Sequence, residues 1–436
     1  MNIATLHELF LKSTGVATDT RAIQTNQLFF ALKGDNYNAN TFADKALLKG
    51  ASYVVIDEEH FGQNERFILV NDVLETLQNL STFHRESLNI PILAITGSNG
   101  KTTSKELIHA VLRKKFNAVA TVGNLNNHIG VPLTLLSMKK STEFGIVEMG
   151  ANHAKEIAKL CEIAKPNFGY ITNFGKAHLE GFGSIQGVIK AKSELYDFLK
   201  STGGLLFLNI DDPIQKEQIY YSNDYTFGNN NLANVSIDYL NSSEKAEVTY
   251  KNKIIKSQLT GRYNAINIAA AICIGEYFKV SLESIQKAIQ EYSPTNNRSQ
   301  IIKLGSNSIL MDAYNANPTS MMAALESFKN NPHPNKLVIL GDMFELGDSA
   351  SEEHEHIAAY LKSTTISEAW LVGSNFYQTK TEGQNIKKFE SFSDLQPHVE
   401  TAPIKDSYLL IKGSRGMALE RVLELFKHQE ILDKKV

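Results

Sequence analysis

A glycine-rich stretch near residue 100 combines the residue types that hold a nucleoside triphosphate. Residues 96–103 are Thr-Gly-Ser-Asn-Gly-Lys-Thr-Thr, between an apolar run and an amphipathic segment. In a strand–loop–helix unit, glycines let backbone N–H groups face phosphate oxygens, and the helix N-terminus adds positive potential. Lys101 would reach the outer phosphates, and the Thr102 hydroxyl would ligate Mg²⁺. The pattern predicts a phosphate loop, with Ile95 where the common motif begins with glycine.

This loop leaves several functions open. A glycine-rich turn before a helix would give the same residues without binding a nucleotide. Phosphate loops also occur in kinases, ATPases, GTPases and ligases, and in regulatory modules without ligase activity. The sequence has no guanine-reading Asn-Lys-x-Asp segment in a suitable place, which favours ATP over GTP.

Three further side chains are candidates for the chemistry around the phosphates. Glu148 ends an apolar run, so its carboxylate could hold Mg²⁺ beside the loop. His178 follows another strand-like run, and Lys192 lies in a helical segment. The alternatives are a surface glutamate, a structural histidine and a solvated helix lysine, and composition alone favours the last of these for Lys192.

The elements that must position these residues alternate between strand and helix patterns, which indicates parallel α/β sheets with right-handed crossovers. In the middle of the chain, strands are predicted at 92–95, 144–148, 168–173 and 204–209, helices at 103–116 and 264–278, and an antiparallel addition at 235–260. Nearer the N-terminus, the apolar runs 28–32 and 53–56 indicate a small α/β unit.

The last part of the chain is predicted to form a third unit. Its strands are expected at 308–312, 336–340, 369–372 and 408–411, and three of them end in the polar stretches 312–317, 341–347 and 412–416. Ligands gather at the carboxyl ends of strands in open α/β sheets, so these stretches are candidate binding segments. The predicted fold is therefore α/β with three domains: a small N-terminal domain at 1–86, a central ATP-binding domain at 87–297 and a Rossmann-like domain at 298–436.

Bulk composition excludes some functions. A chain of 436 residues is too long for one ordinary core. The net charge of −3, from 44 basic and 47 acidic residues, gives no general affinity for nucleic acid. Cys161 and Cys273 are isolated, as in a reducing cytosol, and neither a secretory signal nor a membrane-length apolar run is visible. We expect a cytoplasmic protein that neither inserts into a membrane nor binds nucleic acid.

Taken together, these motifs resemble those of the Mur ligases over nearly the whole chain. The family's Thr-Gly-x-x-Gly-Lys-Thr loop is matched at 96–102, which accounts for Ile95 in place of glycine. Further matches lie at 148–150, 173–184, 261–267, 312–318, 340–347 and 412–415. The resemblance implies ATP and Mg²⁺ as cofactors, and it places Lys192 where the family carries a lysine that can be carbamoylated.

The resemblance also implies roles for individual residues. It gives catalytic roles to Lys101, Lys192, His178 and Arg298. It gives ATP binding to Gly97, Ser98, Asn99, Gly100, Lys101, Thr102, Thr103, Asn267, Arg298 and Asp312. The implied metal ligands are Thr102 and Glu148, with His178 and carbamoylated Lys192 at a second ion. The implied substrate contacts are Thr20, Arg21, Lys33, Asn124, Asn126, Asn127, Tyr314, Asn315, Lys412, Ser414 and Arg415.

The chain departs from the family pattern at three places. Tyr263 replaces a usual histidine, Asn38-Ala39-Asn40 stands where Asp-Gly-His is frequent, and His128 stands where an acid is common. The second departure puts individual nucleotide-sugar contacts in question, and the third concerns contacts to the peptide.

The reaction that the resemblance implies is ATP-driven peptide-bond formation in peptidoglycan precursor synthesis. ATP would phosphorylate the terminal carboxylate of UDP-N-acetylmuramoyl-tripeptide, and the amine of D-alanyl-D-alanine would attack the acyl phosphate. The segments 314–318 and 340–347 favour this reaction over those of other Mur ligases or folylpolyglutamate synthetase. The third residue of the tripeptide, lysine or diaminopimelate, stays open, and the family implies a monomer.

Overall fold

The computed structural model describes residues 1–61, 64–219, 221–240, 245–295, 297–401 and 404–433. It confirms the predicted α/β fold, with a small N-terminal sheet domain, a central parallel-sheet domain and a C-terminal sheet domain. The exact domain boundaries stay predictions. Within the described residues, no helix is both long and apolar enough to cross a bilayer.

The N-terminal domain is built on a four-stranded parallel sheet in the order β1-β2-β5-β6, with a small β3–β4 hairpin beside it. The run 28–32 supplies β2 and the run 53–56 supplies β5, and β2 is fully buried because helices cover the sheet. The elements are α1 Ile3–Lys12, β1 Val16–Ala17, β2 Leu28–Phe30, β3 Lys33–Gly34, β4 Tyr37–Asn38, α2 Ala43–Leu48, β5 Tyr53–Ile56, β6 Phe67–Leu69 and α3 Val73–Leu88.

Helix α3 joins the N-terminal domain to the central one. The Asp72 side chain caps its first turn by accepting from Glu75 N. Near its other end, buried Arg85 donates to the carbonyl of Ala164 at 3.0 Å and to Asn167 Oδ1 at 2.9 Å. The predicted boundary after residue 86 thus falls in the last turn of a helix that is bonded to the next domain.

The central domain has a seven-stranded parallel sheet in the order β13-β12-β11-β10-β7-β9-β8. Its middle strands are buried on both faces, which explains their continuous apolar runs. The elements are β7 Ile92–Thr96, α4 Lys101–Leu112, β8 Ala118–Ala120, α5 Gly130–Ser137, β9 Phe144–Glu148, α6 Glu156–Ala164, β10 Phe168–Ile171, α7 Leu179–Phe182, α8 Ile185–Thr202, β11 Leu205–Asn209, α9 Pro213–Lys216, β12 Asp224–Gly228, β13 Val235–Ser236, β14 Asp238–Tyr239, β15 Lys245–Tyr250, β16 Lys253–Thr260, α10 Tyr263–Tyr277 and α11 Leu282–Glu291.

Helices cover both faces of the central sheet. Apolar side chains of α4 and α10 form a core on one face, and those of α6 and α8 form a core on the other. The predicted antiparallel addition is present as the sheet β14-β15-β16. The segment before it differs from the prediction, because β13 pairs in parallel with β12 at the edge of the main sheet.

The C-terminal domain has a six-stranded sheet in the order β17-β18-β22-β19-β20-β21. The polar stretches 312–317, 412–416 and 341–347 follow β18, β22 and β19, which are direct neighbours and parallel. The elements are β17 Gln300–Leu304, β18 Asn307–Asp312, α12 Pro318–Lys329, β19 Lys336–Gly341, α13 Ala350–Lys362, β20 Glu368–Val372, α14 Ser374–Tyr377, β21 Ile386–Phe389, α15 Phe392–Thr401, β22 Tyr408–Lys412 and α16 Val422–Asp433.

Candidate active site

A cleft of about 870 Å³ opens at the carboxyl ends of the central and C-terminal sheets. Most of the predicted site residues line it, although they come from distant parts of the chain. These are Ser98, Asn99, Gly100, Lys101, Thr103, Asn124, Asn126, Asn127, Glu148, His178, Asn267, Arg298, Asp312, Tyr314, Asn315 and Lys412.

The predicted phosphate loop connects β7 to α4, as expected. Its two glycines have positive φ, 138° at Gly97 and 78° at Gly100, which favours glycine over other residues. A Cβ at Gly97 would also lie 2.0 Å from Thr172 Oγ1, so no larger residue fits there. The Asn99 backbone N–H donates to Asn173 Oδ1 at 3.0 Å, which ties the loop to the end of β10.

Lys101 is the first residue of α4, and its ammonium group folds back over the loop. Its Nζ donates to the carbonyl of Gly97 at 2.6 Å and to that of Ser98 at 3.3 Å. Burial lowers the pKa of Lys101, Arg298 lowers it further, and the carboxylate of Glu148 opposes both. Phosphate oxygens are better acceptors for this ammonium than the two neutral carbonyls it now contacts.

Glu148, the last residue of β9, is a buried carboxylate with partners on both oxygens. Its Oε2 accepts from Thr102 Oγ1 and its Oε1 from Asn126 Nδ2, both at 2.9 Å. Its Oε2 also lies 3.7 Å from Nζ of Lys105, which is only 2% exposed. The sequence analysis missed Lys105, although its position three residues before Ile108 places it on the apolar face of α4.

The site's oxygen donors fit Mg²⁺. Among the described residues, no group of three histidine, cysteine or acidic side chains could hold a metal by itself. Thr102 and Glu148 together offer a hydroxyl and a carboxylate beside the phosphate loop. Mg²⁺ is commonly bound through one or two carboxylates, waters and the phosphates of a substrate, so this sparse donor set suits it.

His178 and Lys192 both lie near Phe182 of the short helix α7, at 6.4 Å between ring centroids for His178 and 5.1 Å from Nζ to the ring centroid for Lys192. His178 Nδ1 lies 2.5 Å from Oε2 of Glu345 in the C-terminal domain, and His178 lowers the pKa of Glu345. Lys192 is 1% exposed, so the solvated helix lysine that composition favoured is wrong. Its Nζ donates to the Ala151 carbonyl at 3.1 Å, and burial, then the charge of Lys101, lowers its pKa to about 7.

The C-terminal domain contributes an arginine and an acid–base pair. The guanidinium carbon of Arg298 lies 3.7 Å from the centroid of the Tyr314 ring, and its buried Nε has no hydrogen-bond partner among the described residues. Asp312 accepts from Lys412 Nζ at 2.6 Å and from the Ser299 N–H at 3.0 Å. Lys412 was predicted to contact substrate, and in the structure its ammonium forms an ion pair with Asp312.

Asn267 and Tyr263 both lie on α10 and line the cleft. The Asn267 side chain accepts from Ser104 Oγ at 3.0 Å and donates to Asn264 Oδ1 at 2.8 Å. Tyr263, the residue in place of the family's histidine, shares a hydrogen bond of 2.8 Å with Ser299 Oγ. This tyrosine therefore links α10 to the start of the C-terminal domain.

Several predicted residues lie outside the cleft lining. Gly97, Thr102 and Lys192 lie behind the residues that line the cleft. Ser414 is buried and accepts from the Phe344 N–H at 2.8 Å, while exposed Arg415 pairs with Glu420 at 2.8 Å. Thr20, Arg21 and Lys33 lie in the N-terminal domain, at the carboxyl end of its sheet.

Direct contacts hold the C-terminal domain against the loop. Lys176 Nζ lies 2.6 Å from Glu353 Oε1, and its backbone N–H donates to Thr319 Oγ1 at 3.0 Å. Asn317 Nδ2 donates to Asn99 Oδ1 at 2.8 Å. The C-terminal domain thus bonds to the phosphate loop itself, so the central and C-terminal domains form the cleft together.

Comparison with known proteins identifies the family. The Mur ligase middle domain matches residues 95–275, and the Mur ligase glutamate ligase domain matches residues 297–415. The UDP-N-acetylmuramoyl-tripeptide--D-alanyl-D-alanine ligase of Bacillus subtilis (strain 168) is 34% identical over 94% of this chain and 92% of its own. The chain belongs to the Mur ligase family. The ligase of the same name from Escherichia coli (strain K12) is 31% identical, over 94% of this Mur ligase and 92% of its own length.

Solved structures agree with this assignment. A crystal structure of MurF from Acinetobacter baumannii has a TM-score of 0.83 at 27% identity, covering 95% of this chain and 93% of that one. MurF ligase from Thermotoga maritima, crystallised with ADP, has a TM-score of 0.84 at 25% identity, covering 98% of this chain and 100% of that one. The three-domain arrangement is therefore that of MurF structures.

Proposed function

We propose that this Mur ligase uses ATP to join D-alanyl-D-alanine to UDP-N-acetylmuramoyl-tripeptide, releasing ADP and phosphate, in peptidoglycan precursor synthesis. The two curated relatives carry the name of this reaction and match nearly the whole chain. The observation that carries the proposal is the shared cleft. In it, the phosphate loop, Glu148 and Arg298 of the C-terminal domain lie together, and Thr102 donates to Glu148 from behind the cleft lining.

The proposed chemistry has two steps. An oxygen of the tripeptide's terminal carboxylate attacks the γ-phosphorus of ATP, and the bond from that phosphorus to the ADP oxygen breaks. The amine of D-alanyl-D-alanine then attacks the acyl carbon of the acyl phosphate. Phosphate leaves with the former carboxylate oxygen, and the amine loses a proton as the amide forms.

The protein's contribution to these steps is to position charge. Lys101 would exchange its two carbonyl contacts for oxygens of the transferring phosphate, which keeps positive charge where negative charge develops. Arg298, whose Nε has no hydrogen-bond partner within the part of the chain that the structure describes, would add charge from the C-terminal domain. Mg²⁺ bound by Thr102 and Glu148 would neutralise phosphate oxygens and align them for attack.

Lys192 is proposed to act as a carbamate. Carbamoylation needs a neutral amine, and a pKa of about 7 leaves roughly half of the Lys192 side chains neutral at neutral pH. The carbamate would carry a negative charge in a pocket that Lys101 makes positive. It would support a second Mg²⁺ together with His178.

The proposed substrate sites divide between the domains. Thr20, Arg21 and Lys33 would hold the UDP-linked sugar at the edge of the N-terminal sheet. Asn124 and Asn127 line the cleft and would contact the peptide, and Tyr314 and Asn315 would contact it from the other side. We also propose that the enzyme works as a monomer in the cytoplasm.

The test is ADP release from purified enzyme with UDP-linked tripeptides that carry lysine or diaminopimelate. Each is offered with D-alanyl-D-alanine, with D-alanine or with single L-amino acids. ADP release that requires both the tripeptide and D-alanyl-D-alanine supports the proposal. ADP release that depends on a single amino acid or glutamate would assign the chain to another Mur ligase activity or to folylpolyglutamate synthesis.

A further inference from the structure

Lys105 is a buried cation beside the carboxylate that is proposed to bind the metal. It lies one helical turn after Lys101, on the side of α4 that faces the sheet. Its ammonium is 3.7 Å from Glu148 Oε2 and 4.0 Å from Glu106 Oε1. A lysine is almost never fully buried unless its charge is paired, so this arrangement requires an explanation.

Glu148 is the stronger of the two partners. Its side chain is 2% exposed, whereas that of Glu106 is 29% exposed. The carboxylate of Glu106 also accepts from the Tyr292 hydroxyl at 2.5 Å. Lys105 therefore acts mainly on Glu148, because electrostatic interactions are stronger where water is excluded.

The side chains that hydrogen-bond to the Glu148 carboxylate are neutral, and Lys101, another cation that acts on this carboxylate, donates its hydrogen bonds to carbonyls of the phosphate loop instead. Thr102 and Asn126 each donate one hydrogen bond to Glu148, but neither balances its charge. A buried carboxylate without a countercharge is costly, and Lys105 supplies that countercharge from a fixed position. A divalent cation bound to Glu148 would be repelled by the same ammonium.

We propose that Lys105 is the countercharge of Glu148 and that it weakens the binding of Mg²⁺ at this carboxylate. Lys105 is a positioning residue that acts through Glu148, because its side chain does not line the cleft. It holds the carboxylate beside Thr102, and it limits how tightly the nucleotide-associated metal is held after ADP forms. This inference rests on the proposed nucleotide site.

The test compares wild-type enzyme with Lys105→Met and Lys105→Arg. Thermal unfolding is followed in EDTA and across a Mg²⁺ titration, with and without ADP. In EDTA, Lys105→Met should unfold on the order of 5 °C lower, since it leaves a buried unpaired carboxylate. With ADP present, the Mg²⁺ concentration that gives half of the maximal thermal stabilisation should be about tenfold lower for Lys105→Met than for wild type, because the repelling charge is gone.

The arginine variant is the matched control. Lys105→Arg keeps the charge and should keep the wild-type Mg²⁺ dependence. An equal loss of stability for Lys105→Met in EDTA and in Mg²⁺, with unchanged Mg²⁺ dependence, would mean a purely structural role and overturn the inference. If Lys105→Met does not fold, the double variant Lys105→Met with Glu148→Gln should fold again, and failure of that rescue also overturns it.

The same titration separates this inference from the proposed function. Wild-type enzyme that is not stabilised by ADP with Mg²⁺ would remove the nucleotide site and the inference together. Normal stabilisation by ADP with an unaltered Mg²⁺ response in Lys105→Met would remove the inference alone.

Discussion

The cleft between the central and C-terminal domains and the carboxyl edge of the N-terminal sheet are built in different ways. In the cleft, side chains from distant elements bond to one another below the surface, as with Glu148 and Thr102 or Asp312 and Lys412. At the N-terminal edge, Arg21 is 87% exposed and pairs with its neighbour Asp19, and Lys33 is 44% exposed. The first region holds its charges in buried contacts, whereas the second leaves its charges exposed to solvent.

The departure at Asn38 and Asn40 belongs to the second region. Asn38 Nδ2 donates to Glu58 Oε1 and Asn40 Nδ2 to Asp57 Oδ1, both at 2.9 Å. Lys33 lies 3.1 Å from the same Asp57 carboxylate. The two asparagines thus bond to the same acidic pair that lies beside the Lys33 ammonium. The comparison predicts that substitutions in the cleft change turnover and that substitutions at the N-terminal edge change substrate affinity.

The largest effect is expected for Lys101→Ala. Turnover should fall on the order of 10³-fold, because the charge that faces the transferring phosphate is removed. The unfolding temperature should change little, since the hydrogen bonds of Lys101 Nζ within the described residues go to carbonyls of its own loop. ADP release and circular dichroism measure the two effects. Near-normal turnover in a folded variant would contradict the role given to Lys101.

A smaller effect is expected for Lys192→Met, which keeps the length of the buried side chain. Activity should fall 10- to 100-fold, as for residues that support a metal site from behind, and bicarbonate should not restore it. The control is Lys190→Met on the same helix, whose side chain is exposed and which should keep full activity.

The pH dependence of the wild-type enzyme tests the same residue. Its pKa of about 7 leaves Lys192 neutral above that pH and protonated below it. Enzyme depleted of bicarbonate should therefore regain activity with bicarbonate at pH 8 and much less at pH 6. Equal recovery at both values would argue against a carbamate.

The smallest effect is expected for Lys33→Ala in the N-terminal domain. The KM for the UDP-linked tripeptide should rise about fivefold with kcat unchanged, because an exposed charge contributes about 1 kcal/mol to binding. Lys12→Ala, an exposed lysine at the end of α1, is the control and should leave KM unchanged. A fall in kcat for Lys33→Ala would break the division between the two regions.

The parts of the site that could be predicted from the sequence are those that depend on the residue pattern within one segment. A glycine-rich loop between a strand and a helix, and acids at strand ends, are readable from single segments, so residues 96–103 and Glu148 were found. Lys105 was not predicted, and for Lys192 composition favoured a solvated lysine, because burial depends on packing from other segments. Helical periodicity would have placed both lysines on an apolar face, since Lys105 lies three residues before Ile108 and Lys192 lies four residues after Val188.

Two strands of the C-terminal domain that were not predicted, β17 and β21, lie at the edges of its sheet. β17 alternates between exposed and half-buried residues, and β21 carries two lysines, so neither has the apolar run of a central strand. The contact of Asn317 with Asn99 could not be predicted from the sequence either, because it depends on how two domains dock. Local pattern thus predicts which residues form each wall of the cleft but not how the walls meet.

The most direct test of the proposed reaction follows an oxygen atom. UDP-N-acetylmuramoyl-tripeptide labelled with ¹⁸O in its terminal carboxylate is turned over with ATP and D-alanyl-D-alanine, and the released phosphate is analysed by mass spectrometry. An acyl-phosphate route through this cleft predicts one ¹⁸O atom in each phosphate, and ligation that gives unlabelled phosphate would contradict it.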